Sequence, residues 1–386
     1  MRLTAFMVCV LASAAWAQDV TVRLRGGATA PAGTVVAVDR EGVSLRADDK
    51  TTVLSWDRVA EVRGDVKAKE YADLAQRAWR ARTRLERGDS VAAEPLFDAL
   101  AAEYKEGTGA TTLVIAEGLL RCRLHRGVQA GAVEPWLMWL RAAGDGAIAP
   151  ALAIVESPGA PPLIDKTTGL CPAVPPVWLR VASVEAFARA SFGSADAQAG
   201  LEKNLKGAAK VDAIRTLYAL AAAFECGVAS EVKSGVLPLR HPDPGVALVA
   251  QIVGARVGVV DVRRDARRLL SERLTQRQAQ WMEAWVRVGL GRSLLRESAA
   301  EDQLLGVAQM LHVPARLRGA SPYLAGVALA GAAVNASGTK QASAWRLKKE
   351  LQDTLPGHPA LDMEAVRDIR PPGAKAGSSG AMKEAS

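Results

Sequence analysis

The chain has 386 residues, a formal charge of +8 and a hydrophobic content of 49%, enough apolar material for two or three packed domains. Only 5% of the residues are aromatic, and the abundant Ala and Leu favour closely packed helices over a β-sandwich or a sugar-binding barrel. The most basic stretch, residues 261–274, is interleaved with acidic residues and contains no aromatic side chain for base stacking. We therefore expect no nucleic-acid partner.

Residues 1–17 are predicted to be a secretory signal peptide. Arg2 is followed by an apolar stretch at residues 5–14 and by the small-x-small sequence Ala-Trp-Ala at residues 15–17. The alternative is the apolar first helix of a cytoplasmic chain. No other stretch is long and apolar enough to span a bilayer, so we expect no transmembrane segment after cleavage. The predicted location is exported, periplasmic or extracellular, and peripheral association with the cell envelope is left open.

Residues 18–64 are predicted to form a small β module. Short runs rich in Val and Thr are separated by turns containing Gly or Asp-Lys, which is typical of a β-meander. The pattern G-T-V-V-x-V-D-x-x-G-V-S-L, which ends in S-W-D-R-V, resembles SH3-like or Sm-like small barrels. This resemblance implies a barrel-like module that mediates contacts or assembly. The alternative is a module that docks on the adjoining helices for its own stability.

Residues 65–145 are predicted to form helical hairpins. The sequence Arg-Leu-Glu-Arg-Gly at residues 84–88 recurs as Arg-Leu-His-Arg-Gly at residues 123–127, and apolar residues recur at helical spacing around both. Each motif is followed, five and nine residues after its Gly, by a small and an aromatic residue: Ala93 and Phe97, then Ala132 and Trp136. This arrangement resembles tetratricopeptide repeats, although the period is longer. The resemblance implies that Gly ends the first helix and the aromatic residue fills the space between helices.

The rest of the chain divides into three segments. Residues 146–178 are rich in Pro, which cannot continue a helix, and are predicted to cross the helical surface as a connector or, alternatively, to form a binding loop. Residues 179–368 are predicted to be a helical repeat domain whose last hairpin turns at Gly338, as the first does at Gly88. Residues 369–386 are predicted to be a disordered tail. The predicted fold class is mainly α: a helical-hairpin (TPR-like) solenoid preceded by a small β-barrel-like module.

No local motif specifies a reaction. The sequence lacks a G-x-S-x-G elbow, an H-E-x-x-H pair and a phosphate-binding loop with its Lys. Cys122, Cys171 and Cys226 do not match the spacing of a metal motif. We therefore predict no catalytic residue, no cofactor and no metal ligand, and favour a non-enzymatic role without excluding an enzyme.

Two tryptophan pairs at helical spacing are the predicted partner-binding residues. Trp136 and Trp139 are three residues apart, and Trp281 and Trp285 are four apart, so each pair shares a helix face. If these tryptophan side chains are exposed, they could bind a peptide or a glycan. The alternative is that they pack in the core. The predicted function is a non-catalytic exported scaffold or adaptor that binds a protein or peptide partner through a helical-repeat surface. The alternative is an envelope polysaccharide-binding protein or an enzyme with its site in the middle segment, residues 147–239.

Overall fold

The computed structural model describes residues 20–144, 151–152, 154, 159–192 and 200–373. The predicted signal peptide and residues 374–386 of the predicted tail lie outside this range. Within it there are five β-strands: β1 Thr21–Leu24, β2 Thr34–Asp39, β3 Gly42–Ala47, β4 Lys50–Leu54 and β5 Val59–Arg63.

Fourteen α-helices follow within the same residues. They are α1 Ala72–Glu86, α2 Ser90–Glu103, α3 Ala110–His125, α4 Gln129–Ala143, α5 Ala182–Phe192, α6 Leu201–Leu205, α7 Lys210–Glu225, α8 Pro244–Val257, α9 Val260–Leu274, α10 Gln280–Leu294, α11 Ala300–His312, α12 Pro322–Ser337, α13 Gln341–Thr354 and α14 Glu364–Arg367. The chain is thus mainly α with a small N-terminal β region. None of these helices is both long and apolar enough to cross a membrane.

The β region has the predicted strands but not the predicted barrel. β1 pairs with β5 in one antiparallel sheet and β2–β3–β4 form another, and neither sheet closes. Helices cover the apolar side chains instead: Trp56 stacks on Tyr71 at 5.1 Å between ring centroids. Its backbone N–H donates to Thr111 Oγ1 at 3.0 Å, and Thr112 Oγ1 donates to Glu41 at 2.7 Å. The module is therefore docked on α1 and α3, which removes the need for closure.

The first two hairpins follow the repeat pattern closely. Gly88 and Gly127, just after α1 and α3, have φ values of +82° and +73°, the left-handed conformation that glycine adopts at low cost. Phe97 and Trp136 are fully buried between helices. Phe97 lies over Gly118, where an added Cβ would be only 2.2 Å from the Phe97 ring. The aromatic position of the repeat is therefore accommodated by a glycine of the neighbouring hairpin, and the repeat glycines form the turns.

Helices pack in neighbouring pairs, namely α1 with α2, α3 with α4, α10 with α11 and α12 with α13, and alternate helices such as α8, α10 and α12 also touch. This is compatible with a helical-repeat solenoid. The last hairpin departs from the first two, because Gly338 has a right-handed φ of −75°. Its turn therefore does not repeat the conformation at Gly88.

The end of the Pro-rich connector is buried rather than laid across the surface. In residues 168–179, which we call the buried connector, all but one residue are buried. Proline has no N–H, and the backbone carbonyls of an extended segment have no hydrogen-bond partners within a helix. Buried carbonyls of this segment therefore need hydrogen-bond donors from other parts of the fold. Aromatic side chains of four helices supply them: Trp136 to Gly169 O (3.0 Å), Tyr218 to Val174 O, Trp285 to Pro172 O (3.1 Å) and Tyr323 to Val177 O (3.0 Å).

Candidate partner-binding groove

The four tryptophans predicted from the sequence to bind a partner lie in the helical interior. Trp136, Trp139, Trp281 and Trp285 are between 0% and 2% exposed. Trp136 and Trp285 donate to the buried connector, and Trp281 meets Trp285 edge to face at 5.1 Å between ring centroids. The four tryptophans therefore pack in the core, as in the alternative interpretation of the sequence. A role of these side chains in partner binding stays a prediction, which their burial in the folded protein does not favour.

A cavity with a volume of about 760 Å³ lies elsewhere, between α2, α3, α4, α5 and α7. We call it the groove. Helices α2 and α4 are the second helices of the two N-terminal hairpins, so the stacking of those hairpins sets them side by side. The side chains of Leu119, Met138 and Ala219 give the groove an apolar floor. Its volume is within the range of roughly 300–1,000 Å³ that is common for ligand sites.

Ion pairs surround the floor, and we call them the rim. Each joins an arginine on a helix to a more exposed carboxylate: Arg123 to Asp98 (2.6 Å), Arg141 to Glu106 (3.2 Å) and Arg215 to Glu134 (3.1 Å). The three carboxylate side chains are between 53% and 80% exposed. Exposed pairs of this kind contribute about 0–1 kcal/mol to stability. The exposed carboxylate of each pair is therefore accessible to a charged group of a partner.

The sequence singled out Arg123 only as part of the repeated Arg-Leu-x-Arg-Gly motif. The corresponding residue of the first hairpin, Arg84, forms an ion pair with Asp89 at 3.2 Å instead. The motif thus marks an arginine on the hairpin surface, but its partner depends on which helix stacks next to it. Sequence periodicity cannot supply that information.

The described residues contain no group of three or more His, Cys, Asp or Glu that could hold a metal ion. Cys122 is buried in α3, and this burial raises the pKa of its thiol to about 12. The thiol is therefore protonated at neutral pH and is a poor nucleophile.

No protein-family model, curated protein or solved structure matches this chain. The groove is therefore interpreted from its own geometry and charge.

Proposed function

We propose that the protein is an exported scaffold or adaptor that holds an extended peptide segment of a protein partner in the groove. The observation that carries this proposal is an apolar floor ringed by ion pairs with exposed carboxylates. A small apolar side chain of the partner enters the floor against Met138 and Ala219. Export rests on the signal sequence at residues 1–17.

The balance of charge around the groove supports a polypeptide as the occupant. Each rim arginine faces its own carboxylate, so the rim presents both signs of charge at similar density. A polymer with a single sign of charge would be attracted by one member of each ion pair and repelled by the other. A peptide that carries both acidic and basic side chains pairs with the rim at either sign. The rigid helices on both sides reduce the entropy lost on binding.

Site-specific photocrosslinking tests the proposal in cells. Ala102 of α2 is exposed and lines the groove, whereas Ala308 of α11 is exposed outside it. A photoreactive residue at position 102 should give one discrete protein adduct that position 308 does not give. The substitution Ala190→Trp, which fills the groove from α5, should abolish the adduct.

The matched control is Ala308→Trp, combined with the photoreactive residue at position 102. It adds the same bulk outside the groove and should leave the adduct unchanged. Adducts from position 102 that persist when Ala190→Trp fills the groove would refute the proposal, as would identical adducts from positions 102 and 308.

A further inference from the structure

A second concave site lies where the β module meets α1, and it is independent of the groove. Three adjoining cavities of about 270, 680 and 380 Å³ share one lining residue, Trp79 of α1. We call them together the Trp79 cleft. The indole is half-buried, unlike the four tryptophans of the helical interior. Over it runs the short turn Arg25–Gly27, in which Gly26 and Gly27 both have a φ of +73°.

The Trp79 cleft is strongly basic. In the described part of the chain, seven arginines line it against three carboxylates. Arg82 and Arg84 pair with these carboxylates, and Arg23 pairs with Glu61 outside the cleft. Among the described residues the other four arginines form no ion pair: Arg25, Arg58, Arg80 and Arg87. A concave surface with excess charge of one sign focuses its potential outward and attracts anions.

The hydrogen bonds of the Arg25 side chain go to neutral groups among the described residues. Its Nε donates to Val59 O and its Nη1 to Gln76 Oε1, both at 3.1 Å, and its guanidinium lies 4.7 Å from the centroid of the Trp79 ring. Burial lowers the pKa of Arg25, and the nearby negative charge of Asp57 offsets this only in part. A ligand carboxylate beside it would offset the remainder.

Asp57 supplies a hydrogen-bond acceptor in the same cleft. Its side chain is 1% exposed, and Oδ2 accepts from Arg82 Nη1 at 2.7 Å. Oδ1 is buried without a hydrogen-bond partner among the described residues. A buried carboxylate oxygen in this state favours a ligand that brings a donor, such as a hydroxyl group. Asp57 lines the 270 Å³ cavity together with Arg58 and Trp79.

These groups together match one class of ligand. A sugar ring offers an apolar C–H face to an indole, hydroxyl donors to a carboxylate and, when it is a uronic acid, a carboxylate to arginine. Arg80 lies in α1 and Arg87 directly follows its last residue, about 10 Å further along the helix axis, so the unpaired charges continue to the end of the helix. We propose that the Trp79 cleft binds an acidic glycan, a polymer of carboxylate-bearing sugars.

A polyphosphate chain fits the Trp79 cleft less well. It brings no hydrogen-bond donor for Asp57 at neutral pH and no apolar face for the indole of Trp79. A single-stranded nucleic acid is held by successive aromatic side chains. Among the described residues, Trp79 is the only aromatic one that lines the three cavities. An anionic lipid surface needs charge alone and gains nothing from an enclosed acceptor.

Titration calorimetry of the purified protein tests the proposal with two soluble probes: oligogalacturonate and the neutral oligogalactan of equal length. Oligogalacturonate should bind, and the neutral probe should bind at least about 10-fold more weakly. Trp79→Leu should weaken oligogalacturonate binding about 10-fold, because a stacking platform for the ring is removed. Arg58→Gln should weaken it several-fold, because Arg58 is exposed and its guanidinium forms no ion pair among the described residues.

The chain offers a matched control for each substitution. Trp345 is also half-buried and has a cation, Lys348 Nζ, 5.7 Å from its ring, and Arg318 is an exposed arginine without an ion pair among the described residues. Trp345→Leu and Arg318→Gln should leave oligogalacturonate binding unchanged. If Trp79→Leu fails to fold, as judged by circular dichroism, the comparison of Arg58→Gln with Arg318→Gln decides.

Four outcomes would overturn the proposal. They are no binding of oligogalacturonate, equal binding of the neutral probe, equal losses in the cleft variants and their controls, and full binding retained by folded Trp79→Leu. Phosphatidylglycerol vesicles and single-stranded DNA serve as competing anionic probes. Tighter binding of either one, with the same dependence on Arg58, would assign the cleft to a membrane or to nucleic acid instead.

Discussion

The buried connector and the Trp79 cleft use the same side chain in opposite ways. In the interior, Trp136 and Trp285 each combine apolar bulk with an N–H that satisfies a carbonyl of an irregular segment. At the β module, Trp79 keeps part of its ring exposed under Arg25. An indole within a helical pattern therefore has no fixed role. The structure around it decides whether the ring supports the fold or faces a ligand.

Replacing an interior tryptophan tests this contrast, and we expect it to give the largest change in the free energy of unfolding. We expect Trp285→Ala to lower the free energy of unfolding by about 3–5 kcal/mol, because it opens a cavity and leaves Pro172 O without its donor. Urea denaturation followed by circular dichroism measures the change. Trp79→Leu is the comparison, with an expected loss of about 1 kcal/mol or less for a half-exposed position. Equal losses in the two variants would remove the distinction between the regions.

The turns of the first and last hairpins allow a matched pair of glycine substitutions. An added Cβ meets no atom within 4 Å at Gly88 or at Gly338, but only Gly88 has a positive φ. We expect Gly88→Ala to destabilise the protein by about 1–2 kcal/mol. Gly338→Ala should be neutral or stabilise it by about 0.4–1 kcal/mol, through a less flexible unfolded chain. Thermal unfolding measures the change in stability of both variants. A similar loss of stability in the two variants would show that the two turns are alike.

The buried side chain of His358 should make the stability of the interior depend on pH. His358 Nδ1 accepts from Ala360 N–H, and Nε2 lies 2.8 Å from Tyr323 O, so the fold holds the neutral ring with its proton on Nε2. Burial lowers the pKa of His358, and the hydrogen bond to Tyr323 offsets this only in part.

As the pH falls below about 6.5, the unfolded chain therefore takes up a proton that the folded chain resists. Stability is then lost as the pH falls from there toward the folded pKa, with a slope of at most about 1.4 kcal/mol per pH unit from this group. Urea denaturation at a series of pH values measures the slope. His358→Gln should flatten it, and an unchanged slope would assign the loss to other groups.

The smallest expected effect lies at the rim of the groove. Arg215→Ala removes the partner of Glu134, and we expect a change in the free energy of unfolding of less than about 1 kcal/mol, because the pair is exposed. The same substitution should reduce the photocrosslinked adduct formed from position 102. A large loss of stability without any loss of the adduct would make the rim a structural element rather than a binding surface.

Local sequence was sufficient for the elements and for the first two hairpins. Short runs rich in Val and Thr, separated by turns, marked the β region, and the Gly-to-aromatic spacing marked the turns at Gly88 and Gly127. Both signals depend on neighbours within a few residues. The barrel prediction was wrong for a long-range reason. Whether a small sheet closes depends on what else covers its apolar face, and here helices cover it through contacts such as Trp56 with Tyr71.

The candidate sites were not predictable from sequence for a similar reason. Rim partners such as Arg215 and Glu134 come from separate helices, and the cleft combines Asp57 of the β region with Trp79 of α1. Periodicity assigns a residue to a helix face but does not say what packs against that face.

Sequence by itself determined a mainly helical chain with an N-terminal β region and two regular hairpins, since helix, strand and turn preferences act over a few residues. Only the tertiary structure decided that the Pro-rich connector ends in the interior and that Trp79, not Trp136 or Trp285, reaches the surface. A proline-rich segment has no periodicity to reveal its burial, and an indole is suited to both environments. The position of such residues is settled by the distant donors and carbonyls that meet when the helices stack.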